Sequence, residues 1–357
     1  MPHSFLRGKW LRTVSAGAVL YLSAASLNAA DGLDAAEGVA QLSSRAVTHD
    51  VEPEDHGQYP GLTITKPGVS TAAIRKQAIA ELPLEGLTPE AQRKTQNVLK
   101  NLGMFRRLPT ISFECDPDVY DYFLRNPDVA VSTWRAMDIS QFQLQETGPN
   151  QYHADAGDGS VGDVTLFLHT PSDTVIHCDG AFKSPLLPKP IIARSLMRLQ
   201  TSFAKEQDGR VIGTHSGEVF VEFPSHAVEV AARVIAPVSH SIADRNFKQM
   251  TLFVHLMSQA MAKHPGWVEM TGNKLDGISK QRKLEFLEVA ARRCAESRKR
   301  LAAANGVQSF SPDEVLTPFR QWNSQGSGLG SAQLSTQGAG SRPVQSTGQL
   351  GSATLRN

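Results

Sequence analysis

Between Phe142 and Phe223 the chain reads as one strand after another, and no other feature narrows its fold so far. In FQLQ, Phe142 and Leu144 share one face against Gln143 and Gln145. In VTLFLHT, Val164, Leu166 and Leu168 alternate with Thr165, Phe167 and His169. Val175, His177 and Asp179 oppose Ile176 and Cys178, and Met197, Leu199 and Phe203 oppose Arg198, Gln200 and Ser202. Val219, Val221 and Phe223 oppose Glu218, Phe220 and Glu222. This period of two marks strands with one apolar face. The breaks at 148–150, 157–159, 171–173 and 208–209 are Gly, Pro, Asn and Asp turns. They are too short for crossover helices, so consecutive strands pair antiparallel.

A sheet with one apolar face needs a cover. After Pro224 the period changes, with 226–234 a short strand or helix. From Ser241 to Lys263, Phe247, Met250, Val254, Met257 and Met261 recur at helical spacing, and His264-Pro265-Gly266 ends the run. A further helix, Lys280 to Ala304, carries Leu284, Leu287, Ala291 and Cys294 on one stripe and charges elsewhere. Upstream, Thr88-Pro89 starts a helix running to about Leu102, and Leu108–Cys115 is a strand. Asp116-Pro117 starts a helix with Val119, Tyr120, Phe123 and Leu124, and a second short one spans Asp128 to Met137.

The ends read differently. Arg7, Lys9 and Arg12 precede an uncharged apolar stretch from Thr13 to Leu27, then small residues at Ala29 and Ala30. That layout predicts a secretory signal in 1–30, cleaved near Ala29 or Ala30, and a periplasmic or secreted protein. The apolar stretch is short of the about 20 residues a membrane span needs. Residues 31–84 carry little apolar content beside Tyr59 and read as a flexible linker, with a short helix over 72–82. Residues 306–357 are a Gly/Ser/Gln-rich disordered tail. The folded part is then 85–265 followed by a charged helix in 266–305.

The order of strand, two short helices, antiparallel strands and one long helix, over roughly Leu108 to Lys263, resembles the helix-grip fold of the START and polyketide-cyclase superfamily. The resemblance implies an α+β domain whose antiparallel sheet wraps the long C-terminal helix around an apolar cavity. It also implies a hydrophobic small molecule or lipid as ligand, cyclase-like chemistry being found in some members. It rests on element order, so no functional residue carries over from it. The cavity-lining candidates are Phe247, Met250, Val254, Met257 and Met261 on the long helix, with Phe167, His169 and His177 on strands. Methionine is flexible and suits a varied apolar pocket, though it also fills ordinary cores.

Other chemistry is thinly supported. The chain of 357 residues has a net charge of +1, which gives no pull towards nucleic acid. Three cysteines, Cys115, Cys178 and Cys294, make no disulfide framework and no metal pair. His153, His169, His177 and His215 lie on strands without the close spacing of a zinc site. His177 and Cys178 point to opposite faces, so one cannot activate the other. Asp158 replaces the first glycine of a serine elbow at 158–162, and Asp155, Asp158 and Asp163 lack calcium-loop spacing. No cofactor, metal ligand or catalytic residue is expected. An enzyme would need groups such as His169, His177 and Arg198 to converge. Two partner readings stay open: an envelope interaction module using the arm and tail, and contact of the basic last helix (Arg282, Lys283, Arg292, Arg293, Arg298, Lys299, Arg300) with an anionic envelope surface.

Overall fold

The computed structural model describes residues 59–183, 190–225, 229 and 236–304. The expected signal, most of the linker, the 184–189 part of the Pro-rich loop, most of 226–234 and the tail lie outside them. The described chain is an α+β fold built on one nine-stranded sheet whose paired strands are all antiparallel. The strands are β1 (Leu62–Lys66), β2 (Leu102–Arg107), β3 (Thr110–Glu114), β4 (Gln143–Gly148), β5 (Gln151–Asp155), β6 (Ser160–His169), β7 (Asp173–Phe182), β8 (Ile191–Lys205) and β9 (Val211–Glu222). Their order is β1-β3-β9-β8-β7-β6-β5-β4, and β2 also pairs with β9 beyond β3. Helices α1 (Ala72–Ala80) and α2 (Pro89–Lys100) precede β2, and α3 (Pro117–Arg125) and α4 (Pro127–Ala136) precede β4. Helices α5 (Ala236–Lys263), α6 (Pro265–Lys274) and α7 (Lys280–Ala304) follow β9.

Local signals place the helix starts. Thr88 accepts from the Ala91 amide with Pro89 in the first turn, so α2 buries Ala91, Thr95 and Val98 on one stripe. Asp116 accepts from the Asp118 and Val119 amides and opens α3 in the same way. Pro265 ends α5 and opens α6.

One expectation is corrected by the β1 region. The chain from Tyr59 to Leu84, assigned above to the linker apart from the short helix that appears as α1, is structured throughout. Leu62 and Ile64 pair with Phe113 and Ile111, and α1 buries Ala78. A segment poor in apolar residues needs no core of its own when it adds to an existing sheet edge. Gly61, at φ +85°, lets this segment turn under α5, where a Cβ would run into the His255 ring. Gly61→Ala is expected to cost about 1–3 kcal/mol from backbone strain and the clash, read by thermal melting.

The second correction concerns the sheet faces. The outer face was expected to be polar, yet over β2, β7, β8 and β9 it is buried beneath α1 and α2. Ala78, Leu82, Leu87, Ala91 and Val98 pack there on Phe105, Val175, Leu196 and Phe220. The β4–β6 end of that face is open, with the His153–Asp163 pair on it, and so is the β1 end, where Thr63 and Thr65 are exposed. On the inner face, Ile111, Phe113, Met197, Val219 and Val221 meet Ala243 and Phe247 of α5 and Tyr120 of α3. A third, helical layer joins α3, α5, α6 and α7 through Phe123, Met257, Met261, Val268, Phe286 and Leu287. Among the described residues no helix is long and apolar enough to cross a membrane.

Candidate functional site

Between the inner face and α5 lies a closed chain of polar side chains. The Thr251 hydroxyl donates to the Phe247 carbonyl within α5 at 2.8 Å. It must therefore accept from His215 Nε2, also at 2.8 Å. That fixes the imidazole as the Nε2–H tautomer, leaving Nδ1 to accept from the Tyr120 hydroxyl at 3.0 Å. Tyr120 in turn accepts from Thr201 at 2.8 Å. Phe247 stacks on the His215 ring and Phe113 packs beside it. Burial lowers the His215 pKa to about 3 and pushes the Tyr120 phenol well up. Every member has a partner, so the chain holds β8, β9, α3 and α5 together rather than offering a free acid or base.

The candidate residues divide among several places. Phe247 stacks on His215, and Val254 is half-buried against the same core. Met257 and Met261 belong to the helical layer with α6 and α7, and Met250 faces outward. The stripe on α5 is thus shared between two neighbours instead of facing one cavity, because a helix this long meets the sheet along part of its length only. Phe167 and His177 lie on the outer face. A bulge in β6 between Leu166 and Leu168 breaks the alternation there, and Phe167 and Leu168 both join the core beneath α1 and α2. His177 is 1% exposed, stacks on Phe167 at 4.9 Å, and hydrogen-bonds through neither nitrogen. Its Nδ1 stands 3.7 Å from Asp179, and burial lowers its pKa. Arg198 faces the same layer, held by Asp173 and next to Glu218. His169 stands at the rim of the inner face, bridging Asp121 of α3 (2.7 Å) and Thr174 of β7 (3.0 Å). His169, His177 and Arg198 therefore do not converge.

Other inner-face residues are less completely buried. Ile176 of β7 and Val164 of β6 point to the inner face of interior strands, yet both are only half-buried. Leu124 of α3 and Phe253 and Val254 of α5 are half-buried against the same two core clusters. The sequence named Val254 as a cavity-lining candidate, but Leu124, Val164 and Ile176 only as apolar positions. Tyr120, Thr201 and Thr251 had no local signal, since their partners come from other elements. Cys178, Cys115 and Cys294 are buried free thiols, and burial raises the first two. Asp155 and Asp158 accept from the amides of Gly157 and Ser160 in the turn before β6. Among the described residues no cluster of His, Cys, Asp and Glu is arranged to hold a metal ion.

No family model and no curated protein matches the chain. Solved structures match loosely. A conserved protein of Geobacillus kaustophilus is 13% identical at a TM-score of 0.28, over 42% of this chain and 93% of that one. A protein of Mycobacterium smegmatis is 14% identical at 0.24, over 41% and 89%. An uncharacterised protein of Rhizobium leguminosarum is 14% identical at 0.22, over 40% and 95%.

Proposed function

We propose that this is an exported domain that holds a hydrophobic small molecule, such as a lipid, between its sheet and α5 in the helix-grip manner. The observation that carries the reading is the incomplete burial of Ile176 and Val164 on interior strands, with half-buried Leu124, Phe253 and Val254 against the same two core clusters. Apolar side chains sandwiched between a sheet and helices pack to near-crystalline density unless space is kept for something else. The closed His215 chain favours holding over reacting, because its imidazole and hydroxyls are already committed to one another. The apolar N-terminal stretch with its basic flank supports export.

Native mass spectrometry of the gently purified full chain tests this. A bound apolar mass is expected, together with uptake of N-phenyl-1-naphthylamine. In Ile176→Trp, which fills the space, probe affinity is expected to fall about tenfold while the fold is retained. Absence of both bound mass and probe uptake in the wild-type protein would refute the reading.

A further inference from the structure

The basic last helix was the sequence's candidate for an anionic surface, but α7 commits three of its arginines to contacts within the fold and leaves Arg292, Arg298 and Lys299 exposed. Arg293 pairs with Asp116 at 3.0 Å, Arg282 with Glu146 at 2.8 Å, and Arg300 donates to the Gly209 carbonyl. The neighbouring helix α6 is different. Val268, Thr271 and Gly272 face the core, which turns Trp267 (37% exposed), Met270 (60% exposed) and Lys274 outward at three- and four-residue spacing. Lys263 at the end of α5, one helical repeat after exposed Leu256, and Lys280 at the start of α7 are also exposed. Among the described residues, Lys263, Lys274 and Lys280 form no ion pair. The acidic residue of α6, Glu269, is half-buried.

We infer that α6 docks this protein on an anionic bilayer surface. An indole suits the headgroup level, where its ring is buried and its N–H stays wet. Methionine adds adaptable apolar surface, and lysines can lay their stems along it while their ammonium groups meet lipid phosphates. Lys274 on the stripe of Trp267 and Met270, with exposed Lys263 and Lys280 at the adjoining helix ends, selects an acidic bilayer over a neutral one. Three lysines at the surface add attraction that falls with salt. The inference stands on surface residues alone, so vesicle binding is expected whether or not the interior holds a molecule.

The test is sedimentation of the full chain with phosphatidylcholine vesicles, with and without about one-third phosphatidylglycerol. Binding is expected to the phosphatidylglycerol vesicles, weakened by about 0.5 M NaCl, with a blue shift of tryptophan emission that Trp267→Phe removes. Trp267→Ser/Met270→Ser is expected to lower the partition about tenfold, and Lys263→Gln/Lys274→Gln/Lys280→Gln by at least as much. These positions are exposed, so unchanged circular dichroism confirms that each variant is folded. The apolar N-terminal stretch is common to all variants and cancels in the comparison. Equal binding to both vesicle types, or vesicle binding that neither variant alters, would overturn the inference. Capture of a protein by the same face with no vesicle binding would overturn it as well.

Discussion

Replacing Glu218 by Ala is expected to remove about 3–5 kcal/mol of stability, a fall readily seen in urea or thermal unfolding. Glu218 is an acidic side chain in the middle of the sheet, yet it is 1% exposed. It accepts from Arg107 Nη2 at 2.6 Å and faces Arg198 at 3.8 Å. Its register partners are those same residues, Arg107 on β2 and Arg198 on β8. Helices α1 and α2 close over the layer. Without the carboxylate, Arg107 keeps only a longer contact to half-exposed Glu81, and Arg198 keeps only Asp173. A guanidinium stripped of water and of its partner costs more than a lost contact. Glu218→Gln retains an acceptor and should lie between. As a contrast, Arg210→Ala breaks an ion pair with Asp208 in which both partners are about half exposed, and should leave stability almost unchanged. A Glu218→Ala protein as stable as Arg210→Ala would mean that water reaches the layer beneath α1 and α2.

Acid is expected to weaken the fold well before its carboxylates are titrated. His215 has an ordinary value near 6.5 when unfolded and about 3 when folded. Between those values the unfolded chain takes up a proton that the native imidazole refuses. Stabilisation is therefore complete above about pH 6.5 and declines as the pH falls towards 3. By pH 4.5 the loss from this residue alone is about 2.5 kcal/mol. His177, also lowered by burial, adds to it in the same direction. The substitution that isolates the effect is His215→Gln, whose amide can donate to Thr251 and accept from Tyr120 without titrating. It should cost stability at pH 7 through lost stacking, yet show a flatter decline between pH 7 and 4.5. If wild type and His215→Gln lose stability in parallel over that range, His215 is not neutral in the native state.

Much of the framework could be read from the chain because its signals are local. Alternation from Phe142 to Phe223 and caps such as Thr88-Pro89 and Asp116-Pro117 lie within a few residues of what they specify. The period of α5 was equally visible, but not which neighbour each side chain would meet, and so Met257 and Met261 went to the helical layer. The bulge in β6 defeated the alternation because one extra residue exchanges the faces that follow it. Glu218 and Glu222 read as part of the polar face because nothing near them in sequence announces the helices that cover them. The interior polar chain was hidden for a similar reason: Tyr120, Thr201, His215 and Thr251 come from four elements.

The pairing of both β2 and β3 with β9 governs how the molecule can be made. As the ribosome releases the chain, Phe105, Ile111 and Phe113 emerge early, and their main partner strand exists only once Val211 to Glu222 has followed. Until then the first third can pair β1 with β3 and lay α1 and α2 beside Phe105, but the edges of β2 and β3 that β9 will fill stay open. The β8–β9 hairpin, joined by a tight turn at Asp208-Gly209, can form as soon as it appears. Assembly is therefore expected to run against the direction of synthesis, the late hairpin serving as the template onto which the waiting early strands close.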